Sequence, residues 1–201
     1  MAEVTAAQVK ELRERTGAPM LACRNALREA GGDVEASVEL LRARGEAQAA
    51  KRAGKEANEG AIDSYIHRGG GTQIGVLVEV NCETDFVART DDFKAFVHDL
   101  AVHIAAAAPL GVSDEDIPAE DREREERIAI EQAADRPENV RERIVSGKLD
   151  KWLADVVLLR QKHVNEEKYE GKTIDEIRAK LASDTGENIV IRRFARFAIG
   201  G

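Results

Sequence analysis

Four groups of residues in this chain have types and spacings that could do chemistry. Gly171-Lys172-Thr173 forms the tail of a phosphate-cradling loop, in which backbone amides and a lysine hold a nucleotide. Such a loop needs another glycine five positions before Gly171. Glu166 stands there instead, and its carboxylate repels phosphate. His98 and His103 could pair on zinc, but five residues on a helix turn their side chains to different faces, whereas helical zinc ligands sit three or four apart. No metal is expected. Cys82 could be a nucleophile, yet Glu83 and Asp85 beside it raise a thiol pKa rather than lower it, and strand-end packing is the plainer role. The fourth group is an aromatic ring in polar company, Asn81-Cys82-Glu83-Thr84-Asp85-Phe86-Val87-Ala88. Taken alone, Phe86 reads as a core-lining side chain. Glu83, Thr84 and Asp85 are poor core residues, so the loop should be wet and its ring a candidate anchor for a partner.

The elements that position this loop are legible on either side of it. Upstream, Ile74, Val76, Val78 and Val80 alternate with Gly75, Leu77, Glu79 and Asn81, the period of a half-buried strand. Downstream, Phe93, Phe96, Val97, Leu100 and Ile104 recur at helical spacing, with Thr90 or Asp91 able to cap the helix start. A preceding strand over Ala61 to His67 and the turn Arg68-Gly69-Gly70-Gly71-Thr72 predict a hairpin. Those glycines are not a phosphate loop, because no helix follows them.

At the amino terminus, Thr5-Ala6-Ala7-Gln8 is a capping box, Gly17 a helix stop, Pro19 a helix start and Asp33 a cap. Three short helices in roughly the first 45 residues predict a small bundle burying little surface. Its Thr16-Gly17-Ala18-Pro19 turn is similar to that of ubiquitin-associated domains. From Arg42 to Gly60 the chain is basic and alanine-rich, a helix end running into a linker, and its charges suit a solvated face better than a nucleic-acid contact. Pro118 opens a charged helix towards Ala134, laced with i,i+4 pairs. Pro137 starts another, expected to break near Ser146-Gly147, with Trp152 in its apolar stripe. Thr173-Ile174-Asp175-Glu176 is a second capping box, and Gly186 a helix stop. The last stretch, Asn188 to Ile199, predicts a strand pairing with the hairpin. It should carry Ile189, Ile191, Ala195, Phe197 and Ile199 on one face and Val190, Arg192, Phe194 and Arg196 on the other.

Composition narrows the function classes. The 201 residues are 43% hydrophobic and 34% charged, with 4% aromatic residues and four prolines, which indicates a folded, helix-rich chain. A net charge of -8 and a pI near 5.2 disfavour nucleic acid or anionic membrane as the main target and favour a protein. No apolar run approaches the roughly 20 residues that span a bilayer, the polar start lacks signal-peptide features, and two cysteines make no disulfide framework, so a cytoplasmic protein is expected.

Three segments resemble a known family. Val78-Glu79-Val80-Asn81-Cys82-Glu83-Thr84-Asp85-Phe86-Val87-Ala88 is similar to the signature of bacterial elongation factor Ts, the nucleotide exchange factor of elongation factor Tu. Val9 to Ala18, with Asn25-Ala26-Leu27 and Gly32-Asp33, resembles the family's amino-terminal signature, and Gly186 to Phe194 its closing segment. The resemblance implies an α+β fold: a three-helix module and basic linker over residues 1–55, then a core and dimerisation domain over 56–201 in which an antiparallel sheet packs against helices. It further implies exchange of GDP on elongation factor Tu, without a cofactor, a bond-making step, nucleic acid or a membrane. Asp85 and Phe86, with Thr84 and Val87, would meet the partner's GTPase domain, Phe86 as a wedge between helices and Asp85 near the magnesium and phosphate site. Arg13 and Met20 match positions where the amino-terminal module touches that domain, against a solvated charge and core packing as their plainer roles. One hairpin, one such loop and one closing strand match the short form, which the family suggests pairs as a homodimer. Lys162-His163 stand where relatives usually carry Pro-Phe. A non-exchanging adaptor or chaperone-like binding protein is the alternative, and a Cys82 hydrolase a distant third.

Overall fold

The structure is a computed structural model and describes residues 4–16, 18, 20–52, 54–69 and 72–200. Gly17 and Pro19 of the first turn, and Gly70 and Gly71 of the hairpin turn, lie outside the described residues.

Helices α1 (Ala6–Thr16), α2 (Met20–Glu29) and α3 (Val34–Arg52) make the amino-terminal bundle. Its start is the expected capping box, with the Gln8 N–H donating to Thr5 Oγ1 at 3.2 Å and the Thr5 N–H donating to Gln8 Oε1 at 3.0 Å. Asp33 Oδ1 accepts the Ala36 N–H at 3.0 Å and caps α3. Val9, Leu12, Cys23, Ala26 and Leu27 form a small core of their own. The basic stretch is helical as far as Arg52, with Arg44 paired to Glu29 and Arg42 to Glu176.

Strands β1 (Glu59–Gly69) and β2 (Thr72–Cys82) pair antiparallel from Glu59↔Cys82 to Gly69↔Thr72. The hairpin is two residues longer at its start than its apolar pattern predicts. The pairing extends through Gly60, where a side chain would collide with the Val80 carbonyl at 2.2 Å and whose φ is +153°. The short α4 (Asp85–Ala88) follows, then α5 (Asp91–Ala107), α6 (Ala119–Gln132), α7 (Glu138–Val156), α8 (Glu166–Tyr169), α9 (Ile174–Thr185) and β3 (Val190–Ala198). The sheet order is β1-β2-β3. Val76, Val78 and Val80 of β2 bury one sheet face against Phe93, Phe96, Val97, Leu100 and Ile104 of α5 and Ile174, Ile177 and Leu181 of α9.

Two expectations need correction. Helix α7 is continuous through Ser146 and Gly147, because the space beside Gly147 is open and a solvent-facing glycine costs a helix only about 1 kcal/mol. In β3 the predicted faces hold for Ile189 and Ile191, both buried, and then reverse. The register slips between Glu79 and Val80, which pair with Arg193 and Ile191, so Arg192 is an extra residue. Such a bulge flips every later side chain to the opposite face. Phe194 packs on the core, Arg196 reaches in to donate to the Ala105 carbonyl, and Phe197 and Ile199 point outward.

Of the pair Lys162-His163, the lysine is exposed and the histidine sits in a buried polar layer. The His163 ring stacks 5.2 Å from His103 and lies 4.3 Å from Tyr169, filling the space with a ring. His103 Nδ1 accepts the Val164 N–H at 3.2 Å while its Nε2 donates to Gln161, and His163 Nδ1 accepts the Asn165 N–H at 3.0 Å while its Nε2 donates to the Asp99 carbonyl. Protonating either ring at Nδ1 would break the hydrogen bond that this nitrogen accepts from a backbone N–H. Burial pushes His103 down to about 4 and His163 below the usual histidine value. The unfolded chain therefore binds more protons than the folded one at mildly acid pH. This stability is fully present above about pH 6.5, the ordinary histidine value, and is lost as pH falls through the window towards about 4. The melting temperature should drop on the order of 5 °C between pH 7 and 5, since each tenfold difference in proton affinity between the folded and unfolded chain is worth about 1.4 kcal/mol. His163→Phe should flatten that slope, and a slope unchanged in this variant would remove His163 from the account.

Candidate functional site

The loop after β2 is built to hold one ring in solvent. Thr84, extended at φ -130° and ψ 153°, caps α4 by accepting the Val87 N–H at Oγ1. Arg89 closes this single turn with its N–H on the Asp85 carbonyl at 3.2 Å, and Thr90 then caps α5. Successive helical residues point about 100° apart, so neighbours on one turn can have opposite fates. Val87 and Ala88 pack on the core, whereas Phe86 is 80% exposed. The structure thus decides between the two readings of Phe86 in favour of the wet one.

Asp85 pairs with Arg89 at 2.8 Å on the surface. An exposed pair of this kind is worth little, so a partner can draw the carboxylate away cheaply. Cys82 is buried, donates to the Thr84 carbonyl at 3.1 Å, and has its thiol pushed up to about 11, first by burial and then by Glu187. The sequence pointed to the loop's own acids, but desolvation is the larger cause, and a thiol held protonated is a poor nucleophile.

Sequence reading missed the residues that hold the loop. Glu187 Oε2 accepts the N–H groups of Glu83 and Thr84, each at 3.0 Å, and its Oε1 accepts the Thr84 hydroxyl at 2.6 Å. In return Glu83 Oε1 accepts the Asn188 N–H at 2.7 Å. Asn188 Nδ2 donates to the Lys55 carbonyl at 2.8 Å and Asn81 Nδ2 to the Ala57 carbonyl at 3.1 Å, pinning the linker to the same sheet end. The one sequence signal was Gly186, whose left-handed φ of 71° ends α9 and turns the chain into Glu187.

Thr84, Asp85, Phe86 and Val87 are thus together on one turn. Arg13 and Met20 are exposed on α1 and α2, with Leu21 exposed beside Met20, on the separate bundle that rests on α9. That docking uses the Arg42–Glu176 pair at 3.0 Å, Lys180 donating to the Thr16 carbonyl at 3.3 Å, and a close approach at Gly45, where a Cβ would meet Ser183 Oγ at 2.6 Å. A groove of about 650 Å³ between α6 and α7 has no lining residue from the loop. The feature on offer is a protrusion rather than a cleft. Among the described residues, no group of three or more His, Cys, Asp or Glu could hold a metal, and no helix is long and apolar enough to cross a membrane.

Residues 6–170 match the family model described as Elongation factor TS. Elongation factor Ts of Geobacter sulfurreducens is 50% identical over 199 residues, covering 98% of this chain and 90% of that protein. The proteins of the same name from Caldanaerobacter subterraneus subsp. tengcongensis and Syntrophobacter fumaroxidans are 50% and 49% identical, with 98% of this chain and 97% and 98% of theirs covered.

Proposed function

The chain belongs to the elongation factor Ts family, and from that premise we propose that it exchanges nucleotide on elongation factor Tu, in the cytoplasm, with the loop at Thr84 to Val87 as its working surface. The observation that carries this reading is Phe86, a large apolar ring 80% exposed on a turn otherwise anchored to the core. An exposed phenyl ring on a rigid mount is a ready hot spot. Pushed between helices of the GTPase, it favours the nucleotide-free conformation, while Asp85, released from Arg89, takes hold near the phosphate and magnesium site. Arg13 and Met20 add a second contact from the bundle. A division of the chain at residues 55 and 56 belongs to this proposal, as a grip on the partner separate from the wedge.

The chemistry is binding alone. A factor that prefers the nucleotide-free partner weakens GDP by the same factor as GDP weakens it. A coupling of about 4 kcal/mol changes nucleotide affinity roughly a thousandfold. No residue needs to make or break a bond, and no cofactor is required.

The homodimer is the second part of the proposal. The sheet face turned away from α5 carries Ile62, Ile66, Leu77, Phe197 and Ile199, all exposed. An apolar patch of this kind marks an interaction surface, and a second copy offers the same patch in return.

The test is the release of a fluorescent GDP derivative from preloaded elongation factor Tu. Release should accelerate with the concentration of this protein, and the protein should bind the nucleotide-free GTPase more tightly than the GDP form. Equal affinity for both forms, with no acceleration, would make it a non-exchanging adaptor.

A further inference from the structure

We propose that Glu187 is a positioning residue for exchange, holding the Phe86 turn in its partner-ready form from more than 100 positions away in the chain. The inference rests on the reading that this turn meets elongation factor Tu. Its ground is the geometry at Thr84. A single carboxylate satisfies two adjacent backbone amides, those of Glu83 and Thr84, and also takes the Thr84 hydroxyl hydrogen. With that hydrogen committed to Glu187, the Thr84 oxygen has a lone pair directed at the Val87 N–H, which is the cap of α4. The orientation of Phe86 thus descends from Glu187 through two hydrogen bonds.

The packing of Val87 and Ala88 on the core fixes the end of the turn and leaves its start to be held by hydrogen bonds. Glu83, Thr84 and Asp85 have no large apolar side chain to bury, so packing cannot define their backbone. Hydrogen bonds to a charged acceptor are short and strong and can. The carboxylate is itself placed by the left-handed turn at Gly186, and by Asn188, whose N–H is held by Glu83 and whose amide holds Lys55. Loop, α9 terminus and linker therefore meet at one point.

Removing the carboxylate leaves the turn to be ordered when the partner binds, and that cost falls on association rather than on the bound state. In the GDP-release assay, Glu187→Ala should raise the half-saturating concentration about tenfold, equivalent to about 1.4 kcal/mol, with the maximal rate little changed. Glu187→Gln, which keeps one acceptor oxygen, should fall between the two.

The decisive arm is a double-mutant cycle with Phe86→Ala. If Glu187 acts through the ring, Glu187→Ala adds no further loss once the ring is gone. Full additivity, or loss of folded structure by circular dichroism in both Glu187 variants, would overturn the inference and leave the exchange reading intact. A wild-type protein that fails to accelerate release would overturn both, so the two failures are distinguishable.

Discussion

Phe86→Ala should lower the rate of GDP release from elongation factor Tu, at limiting concentration of this protein, by about thirtyfold or more, equivalent to about 2 kcal/mol. It should do so without lowering the melting temperature. The ring is 80% exposed, so truncation uncovers almost no buried surface and leaves no cavity. The turn is held from behind by Val87, Ala88 and the Glu187 carboxylate, none of which the substitution touches. This separation of stability from activity is the sharp part of the prediction. A core phenylalanine such as Phe93, fully buried, would lose several kcal/mol of stability on the same change, and activity would vanish by unfolding. An unaltered release rate in Phe86→Ala, with the wild type active, would remove the ring from the mechanism.

The second large effect is expected on mass. Static light scattering should give about twice the 22.0 kDa of one chain for the wild type, and close to one chain for Leu77→Asp combined with Phe197→Asp. Gly75 pairs with Phe197 and Leu77 with Ala195, so both substitutions fall on the outward sheet face. Charges placed there are solvated in the single chain and buried in a pair of stacked sheets, where desolvation costs several kcal/mol per uncompensated ion. Because Phe197 is 74% exposed, the monomer should keep its fold. A wild type already of single-chain mass would overturn the homodimer.

Much of the fold was legible because its signals are local. The alternation of β2, the helical spacing of α5 and the capping boxes at Thr5 and Thr173 each depend on residues within one or two turns of one another, and each appears where expected. The site was legible in part for the same reason, since Phe86 stands out against its polar neighbours. What escaped notice is non-local. The reversal in β3 comes from a bulge that only the pairing with β2 reveals. The clasp on Thr84 joins residues 103 apart, and nothing near Glu187 announces its partner. His163 read only as a departure from the Pro-Phe of relatives, and the stacking on His103 and Tyr169 shows the imidazole filling the layer as a ring.

The linker pinned at Lys55 and Ala57 has a consequence for how the two parts of the molecule would grip one target. A loose tether lets a second contact search a wide volume, and its effective concentration falls as the tether lengthens. Here the leash is fastened at the sheet end beside the Phe86 turn, and the bundle is seated on α9, so the spacing between turn and bundle is set before any encounter. The molecule is then a caliper rather than a pair of hands on strings. It would gain strongly from a target whose two contact points match its span, and little from one whose points are differently spaced.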